Sequence, residues 1–284
     1  MTAALESPSP EIHRGDPIPM KLSIVIPARN ESPNIGECLD RLIETLESAG
    51  GIPYEIVVVD DGSTDGTAEV VSARAPKTKE LRLKRRGAPP GLGRAIRSGL
   101  EVVSGDVVVI FMADLSDSPE DVVLYYRKIQ EGHDCVFGSR FMQGSSVTKY
   151  PPVKLVLNRA ANRAMQVLFR TRLNDLTNAF KAYRTQVLRE CAPFTAEHFD
   201  ITLELSLGAL LGGYTVAQIP IRWAGRTAGI SNLRMRRMLG VYLRMLARML
   251  AREYLRDRAE GRGRRERKPA GETGQVGPAE KLGA

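Results

Sequence analysis

Two pairs of carboxylates stand directly after long apolar runs in this sequence. Asp60 and Asp61 follow the run "YEIVVV", and Asp114 and Asp117 follow "DVVVIFMA". Carboxylates that gather in one place bind a divalent cation, and such a cation in turn binds a diphosphate. The competing interpretation is that aspartates at strand ends only accept hydrogen bonds from turn amides. Two such pairs in one chain favour a cation and diphosphate site over two unrelated turns.

The elements that must position these carboxylates are strands and helices that alternate along the chain. Strands are predicted for the runs "KLSIVIP", "YEIVVVD", "ELRLK", "DVVVIFM", "DCVFG" and "TVAQIPIRW". Helices are predicted between them, and one begins at Ser32 with Pro33 at its first turn. Further helices are expected over residues 153–169 and 200–211. This alternation predicts parallel βαβ units in an α/β fold, where ligands bind at the carboxyl ends of the strands.

A family resemblance rests on motifs that occur in a fixed order. These are "IVIPARNE", "EIVVVDDGSTDGT", "GLGRAIRSGL", "GDVVVIFMADLSDSPED" and "VFGSRF", followed by "DLTNAFKAYR" and "FDITLELSLGALLGGYTVAQIPIRW". The chain resembles the family 2 glycosyltransferases of the GT-A fold, and among them the dolichyl- or polyprenyl-phosphate mannosyltransferases. The resemblance implies a Rossmann-like, mostly parallel sheet flanked by helices. It also implies a nucleotide sugar as donor, either GDP-mannose or UDP-glucose, and polyprenyl phosphate as acceptor.

The resemblance assigns donor-site roles by position in the sequence. The residues expected to contact the nucleotide sugar are Pro27, Arg29, Glu31, Asp60, Asp61, Gly91, Arg94, Ala113 and Asp114. Asp114 corresponds to the metal-binding aspartate of the family's Asp-x-Asp motif, which implies Mg²⁺ or Mn²⁺ as cofactor. The first aspartate of that motif is Met112 here, and a thioether is a poor ligand for such a hard cation. Ser116 and Asp117 are therefore expected to hold the metal together with Asp114.

The implied acceptor is a phosphate monoester, which carries about −1.5 to −2 charges at neutral pH. It is a nucleophile without a dedicated base, but it needs cations that hold it in line with the anomeric carbon. The resemblance places Arg140 and Arg159 at this phosphate, with Arg222 and Arg226 as further contributors. Asp114, Arg140 and Arg159 are thus the expected catalytic residues, and inversion at the sugar is the expected outcome. Each arginine taken alone is also consistent with a solvated surface charge.

The positive charge of the chain is concentrated near its C-terminal end. Residues 231–284 carry a net charge of +8, equal to that of the whole chain, so the remainder is neutral. This distribution argues against a nucleic-acid-binding protein. Within residues 233–258, a face with Leu239, Tyr242, Leu246, Met249 and Leu250 lies opposite Arg244, Arg248, Arg252 and Arg256. Such a basic amphipathic helix is predicted to lie in a membrane interface, although packing on its own domain or on a second copy gives the same pattern.

The expected organisation has four parts: a disordered tail over 1–20, a GT-A domain over 21–232, the basic helix over 233–258 and a disordered tail over 259–284. The three cysteines form neither a disulfide framework nor a zinc pattern, which suits a reducing compartment. With a lipid acceptor this predicts a cytoplasmic protein at the membrane surface, with a membrane-protein partner as an option. Two alternatives stay open. One is transfer to a soluble hydroxyl or phosphorylated metabolite, and the other, suggested by Met112, is sugar-nucleotide binding without catalysis.

Overall fold

The structure is a computed structural model that describes residues 19–225 and 235–259. The strands in this part of the chain are β1 (Leu22–Ala28), β2 (Tyr54–Asp60), β3 (Leu81–Arg85), β4 (Val107–Ile110), β5 (Cys135–Ser139), β6 (Ser146–Thr148), β7 (Lys181–Arg184), β8 (Val216–Pro220) and β9 (Arg222–Ala224). The α-helices are α1 (Ser32–Ala49), α2 (Thr67–Arg74), α3 (Leu92–Leu100), α4 (Pro119–Gln130), α5 (Pro152–Phe169), α6 (Thr185–Cys191), α7 (Ile201–Gly212) and α8 (Met235–Ala259).

Seven of these strands form one sheet in the order β3-β2-β1-β4-β7-β5-β8. Neighbouring strands are parallel except at β7, which runs antiparallel to both β4 and β5. The carboxyl ends of the six parallel strands therefore lie at one edge of the sheet, which we call the carboxyl edge, and β7 begins there. The predicted α/β fold with a mostly parallel sheet is confirmed.

Both faces of the sheet are covered, which explains why its strands are continuous apolar runs. Alternate residues of β1 point to opposite faces, so Ile24 packs in one core and Val25 in the other. The first core lies under α1, α2 and α4, and the second lies under α3, α6 and α7. The two cores fix the strands between them, and the strand ends set where the loops at the carboxyl edge begin.

The run "TVAQIPIRW" does not form the single strand that its apolar character predicts. Strand β8 ends at Pro220, and the chain leaves the main sheet at Ile221. Strand β9 then pairs in parallel with β6 in a separate two-stranded sheet. The amide of Arg222 donates to the carboxylate of Asp121 over 2.9 Å, which fixes this change of direction. Because the chain leaves the main sheet at the carboxyl end of β8, Arg222 and Trp223 of β9 lie towards the carboxyl edge.

Helix α8 does not present its apolar face in the way predicted for a membrane helix. Met245 and Met249 are buried in the second core, and Tyr242, Leu246 and Leu250 pack against it. Arg248 donates to the hydroxyl of Thr195, which ties the helix further to the domain. The expectation that this apolar face inserts into a bilayer is wrong, because the domain itself covers it; packing on its own domain is what the structure shows. Leu239, Arg226 and Arg256 lie outside the residues or side chains that are described, as do residues 1–18 and 260–284 of the tails predicted over 1–20 and 259–284.

Candidate active site

Segments from distant parts of the sequence meet at the carboxyl edge because the parallel strands deliver them to the same place. Strand β1 leads to Arg29 and Glu31, β2 to Asp60 and Asp61, and β4 to the segment 112–117. Strand β5 leads to Arg140 beyond the antiparallel β7. The two acidic pairs predicted from the sequence and Arg140 thus lie at one edge of the sheet.

The exit of β1 is shaped by residues with different roles. Pro27 is buried and pairs with Val59 of β2, beyond the last pairing of β1 with β4. Arg29 is exposed at this edge. Glu31 is buried, and its carboxylate accepts a 2.8 Å hydrogen bond from the side chain of Asn34 in the first turn of α1. Glu31 therefore supports the loop that presents Arg29.

The two aspartates after β2 make different contacts. Asp60 accepts a 3.1 Å hydrogen bond from the amide of Ser63, as the turn-capping interpretation expects. Asp61 forms an ion pair with Arg86 and accepts a 2.6 Å hydrogen bond from the amide of Gly91. Asp61 thereby joins the ends of β2 and β3 to the start of α3.

The glycine-rich turn before α3 contacts the protein rather than presenting its amides to a phosphate. Gly91 has no room for a side chain, since a Cβ there would collide with the carbonyl oxygen of Glu197. That same oxygen accepts hydrogen bonds from the amides of Gly93 and Arg94 over 3.0 and 3.3 Å, and the guanidinium of Arg94 pairs with the Glu197 carboxylate over 2.5 Å. The amides of Gly91, Gly93 and Arg94 therefore all donate to acceptors within the protein.

Glu204 supports the segment that meets this turn. Its carboxylate accepts hydrogen bonds from the amides of Thr195 and Ala196 at 2.8 to 3.0 Å. A buried carboxylate needs such donors to offset its lost hydration. Glu204 therefore acts in the fold, by holding the segment that contacts the turn before α3.

The segment after β4 buries two carboxylates. Asp114 and Asp117 are only 7% and 5% exposed, and Leu115 between them adopts a left-handed conformation with φ of 60°. Asp114 accepts from the amide of Ser116 at 3.2 Å, and Asp117 accepts from the amide of Met112 at 3.4 Å. Burial raises the pKa of Asp117 well above its usual range, and the nearby charge of Asp114 raises it further.

These electrostatics fit a divalent cation. Both carboxylates and the hydroxyl of Ser116 are hard oxygen donors, the class that Mg²⁺ and Mn²⁺ prefer. In the described ranges, no three or more acidic, histidine or cysteine side chains form a metal cluster. Two carboxylates suffice for Mg²⁺ when substrate phosphates and waters complete its shell. The loop thus suits a cation that arrives with a diphosphate.

Arg140 forms a buried, two-pronged ion pair with Asp175. Its side chain is 7% exposed and that of Asp175 is fully buried; Nε and Nη2 each lie 2.8 Å from a carboxylate oxygen. The guanidinium also lies over the rings of Phe141, Tyr150 and Trp223 at 5.4 to 5.9 Å. Burial alone lowers the pKa of Arg140, but Asp175 outweighs it and holds that pKa above its ordinary value. Arg140 is therefore a fixed charge that the protein already balances.

The other predicted acceptor arginines differ in their partners. Arg159 of α5 is exposed and lies 5.3 Å from the Phe141 ring, whose centre is 5.4 Å from Arg140. The structure thus brings Arg140 and Arg159 to one aromatic ring. Arg222 instead pairs with Asp121 and Glu120 over 3.4 and 3.5 Å. Arg226 lies outside the described residues.

Lys181, at the start of β7, was not predicted as a functional residue. It is 1% exposed, and its ammonium donates to the carbonyl of Leu176 over 2.7 Å and to the hydroxyl of Ser206 over 2.5 Å. Burial lowers the pKa of Lys181 to about 7; the charge of Asp175 raises it in part, and that of Arg140 lowers it. A lysine within "FKAYR" carries no sequence signal of such burial.

The buried Lys181 predicts a specific pH dependence of stability. Since its folded pKa of about 7 lies below the ordinary 10.5, the unfolded chain binds more protons between these values. The free energy of unfolding should therefore rise with pH across this window, by up to about 5 kcal/mol at about 1.4 kcal/mol per unit. Lys181→Met should abolish this rise in urea denaturation at several pH values, whereas Lys79→Met, at an exposed position, should keep it. An unchanged slope in Lys181→Met would contradict the prediction.

The chain is similar to known proteins in sequence and in fold. The sequence model of the family described as "Glycosyl transferase family 2" matches residues 23–192, more than half of the chain. Dolichol-phosphate mannosyltransferase of Pyrococcus furiosus is 32% identical over 237 residues, which cover 81% of this chain and 64% of the relative. The chain thus spans just under two thirds of that relative's length. Polyprenol monophosphomannose synthase of Mycolicibacterium smegmatis is 28% identical over 216 residues, covering 74% of this chain and 80% of the relative.

A solved structure shows the same fold with a different acceptor in its name. Glucosyl-3-phosphoglycerate synthase from Mycobacterium tuberculosis, in complex with Mn²⁺, uridine diphosphate and phosphoglyceric acid, superposes with a TM-score of 0.59. It is 22% identical in sequence, and the match covers 82% of this chain and 78% of that chain. At this identity the likeness speaks for the fold alone.

Proposed function

The chain belongs to glycosyl transferase family 2, and we propose that it moves a hexose from a nucleotide diphosphate sugar to a polyprenyl or dolichyl phosphate. The observation that carries this proposal is the meeting of two features at the carboxyl edge. One is the buried carboxylate pair of Asp114 and Asp117. The other is the pair of arginines, Arg140 and Arg159, at the ring of Phe141. A diphosphate donor needs the first feature, and an anionic acceptor needs the second.

On the donor side, the loops after β1, β2 and β4 form the floor of the proposed nucleotide-sugar site. Arg29, exposed beyond β1, faces solvent where an anionic donor arrives. Asp60 and Asp61 hold the β2 exit, while Pro27, Glu31, Gly91, Arg94 and Ala113 shape the surrounding walls. Asp114, Ser116 and Asp117 would hold a divalent cation, which would supply positive charge to neutralise a diphosphate.

On the acceptor side, Arg159 is the proposed direct phosphate ligand. It is exposed, and it forms no ion pair with any of the described residues. Arg140 is held by Asp175 and contributes a fixed positive potential from behind the aromatic residues. Arg222 and Arg226 are further proposed contacts. The acceptor phosphate needs no base from the protein, so these arginines act by position and charge. A single in-line displacement inverts the anomeric carbon.

The lipid acceptor implies a place of action at a membrane surface. Within the described ranges, no helix is long and apolar enough to span a bilayer. The polyprenyl chain must nevertheless stay in lipid while its phosphate reaches Arg159. We therefore propose that the protein works peripherally, at the cytoplasmic face of the membrane.

A second candidate function is transfer to a small phosphorylated acceptor. It is favoured by the fold shared with a structure whose name includes phosphoglyceric acid, and by the fact that Arg159 would hold any phosphate. A third, prompted by Met112, is binding of a sugar nucleotide without transfer. The two named mannose-transferring relatives favour the lipid phosphate over both.

One assay separates these functions. The protein is incubated with a panel of nucleotide sugars, with and without Mg²⁺ or Mn²⁺, and release of nucleoside diphosphate is measured. The acceptors are a short-chain polyprenyl phosphate, 3-phosphoglycerate, or none. We expect release from one donor only with lipid phosphate and metal. Release with 3-phosphoglycerate alone would support the second function, and binding of the donor without release would support the third.

A further inference from the structure

Helix α5 carries its apolar residues on the side that faces away from the protein. Its large apolar residues are strongly exposed: Val153 72%, Val156 65%, Leu157 45%, Val167 71% and Leu168 47%. Only Asn162, Met165 and Phe169 of this helix are buried. Surface helices ordinarily show the reverse arrangement, with the apolar stripe towards the core.

The exposed apolar residues form one continuous stripe. At 3.6 residues per turn they fall within about 140° of the helix circumference. Ala160, Ala161 and Ala164, all exposed, fill the gaps along the stripe. Lys154 borders the stripe on one side, and Arg159 and Arg163 border it on the other. The helix is therefore amphipathic towards solvent, over a length of about 27 Å at 1.5 Å per residue.

The charged residues around α5 indicate which kind of partner its exposed apolar face can bind. Residues 135–174 contain no aspartate or glutamate, and their cations are Arg140, Lys149, Lys154, Arg159, Arg163, Arg170 and Arg172. A second copy of the helix would place like charges beside each other, with no carboxylate from this segment to offset them. An anionic surface offsets the exposed cations Arg159 and Arg163, whereas Arg140 is already balanced by Asp175. Apolar residues flanked by arginine and lysine are the composition of helices that lie in a lipid interface.

We propose that α5 docks in the plane of an anionic lipid bilayer, with Val153, Val156, Leu157, Val167 and Leu168 among the acyl chains. This role falls to α5 because the apolar face of α8 is covered by the domain. The inference deepens the proposed function, on which it rests, by naming the surface that meets the membrane.

The position of α5 in the fold joins this surface to the candidate site. Asn162 of its buried side donates to the hydroxyl of Thr177 over 3.0 Å and accepts from the amide of Leu176 over 2.7 Å. Thr177 also receives a hydrogen bond from Arg140. Arg159, next to the apolar stripe, reaches over Phe141. A bilayer under α5 therefore lies beside the two arginines proposed to hold a lipid phosphate.

The test is sedimentation with lipid vesicles that contain neither polyprenyl phosphate nor sugar nucleotide. Vesicles of about three parts phosphatidylcholine to one part phosphatidylglycerol are used at low and high salt, since the anionic attraction is screened by salt. The full-length protein should bind at low salt and weaken at high salt. Val156→Glu with Val167→Glu should reduce vesicle binding about tenfold or more, because two carboxylates replace exposed apolar contacts.

The matched control is Leu243→Glu with Leu255→Glu, which makes the same change at exposed leucines of α8. This control should bind vesicles as the unaltered protein does. Equal loss in both variants, or no loss in the α5 variant, would overturn the proposal. A dimer in light scattering that the α5 variant converts to a monomer would also overturn it, in favour of a second copy as occupant.

A further readout separates this inference from the proposed function. Transfer to a short, water-dispersed polyprenyl phosphate without vesicles should be equal in the α5 variant and the unaltered protein. If no transfer occurs in either while vesicle binding still depends on α5, the proposed reaction fails and the docking surface stands. If transfer occurs but the α5 variant binds vesicles as the unaltered protein does, the proposed docking surface is wrong and the proposed reaction is supported.

Discussion

Asp114→Asn is expected to lower the rate of sugar transfer about a thousandfold. The change keeps the size of the side chain and its capacity to accept from the amide of Ser116, but removes one of the two buried charges that a cation needs. Loss of a group that neutralises charge developing on a departing diphosphate costs about 10² to 10³ in rate. The measurement is initial rate against Mg²⁺ and Mn²⁺ concentration, where the variant should also need far more metal.

The control for this prediction is Asp106→Asn, at the opposite end of the same strand, where Asp106 accepts from the amide of Lys21. Its rate should stay within about twofold of the unaltered enzyme, as for a surface change. The thermal midpoint of Asp114→Asn should not fall, because the change removes a charge that opposes ionisation of Asp117. A variant that unfolds early, or one that transfers at a normal rate, would show that Asp114 serves the fold instead.

Asp175→Asn should cost about 3 to 5 kcal/mol of unfolding free energy. It leaves the Arg140 guanidinium buried without its counter-charge, and breaking one half of a buried pair carries such a penalty. Three hydrogen bonds from Arg140, one of them from its backbone amide, and one from Thr177 lose a charged acceptor at the same time. Urea denaturation at neutral pH measures the loss.

The chain offers a matched surface pair for comparison. Arg74 and Asp40 also meet through two hydrogen bonds of 3.0 Å, but the Asp40 side chain is 62% exposed. Asp40→Asn should therefore cost less than about 1 kcal/mol. Combining Asp175→Asn with Arg140→Met should cost less than the two single changes added together. Additive losses would mean that the two side chains do not act as a pair.

Much of the fold is predictable from the sequence because burial on both faces leaves an unambiguous apolar run. The strands before Asp60 and Asp114 are of this kind, and their order with the intervening helices fixes a parallel sheet. The aspartates that follow these strands could be placed at one edge of the sheet for the same reason. Strand β7 could not, because "KAYR" is only four residues long and contains two cations.

Contacts between residues far apart in the sequence could not be predicted, because a local sequence pattern does not identify the distant partner. The partner of Arg140 is 35 positions away, although one signal was available: Asp175 is the first acidic residue after Asp134. The packing of α8 was inverted relative to expectation, and the outward apolar face of α5 was not predicted, since both helices are amphipathic and periodicity does not say what covers a face. Lys181 was missed because burial of a lysine contradicts its usual preference.

The insertion of β7 between β4 and β5 has a consequence for assembly of the chain. Strands β3, β2, β1 and β4 are complete by residue 110 and can pair as they emerge during synthesis. Strand β5 has no neighbour in that half and must wait for Lys181–Arg184 to arrive after an excursion of about forty residues. We expect closure of this long-range gap to be the slowest step in forming the sheet, because non-local pairing carries the larger loop-closure cost. The same closure draws Arg140 and Asp175 together, so the acceptor half should be the last part to mature.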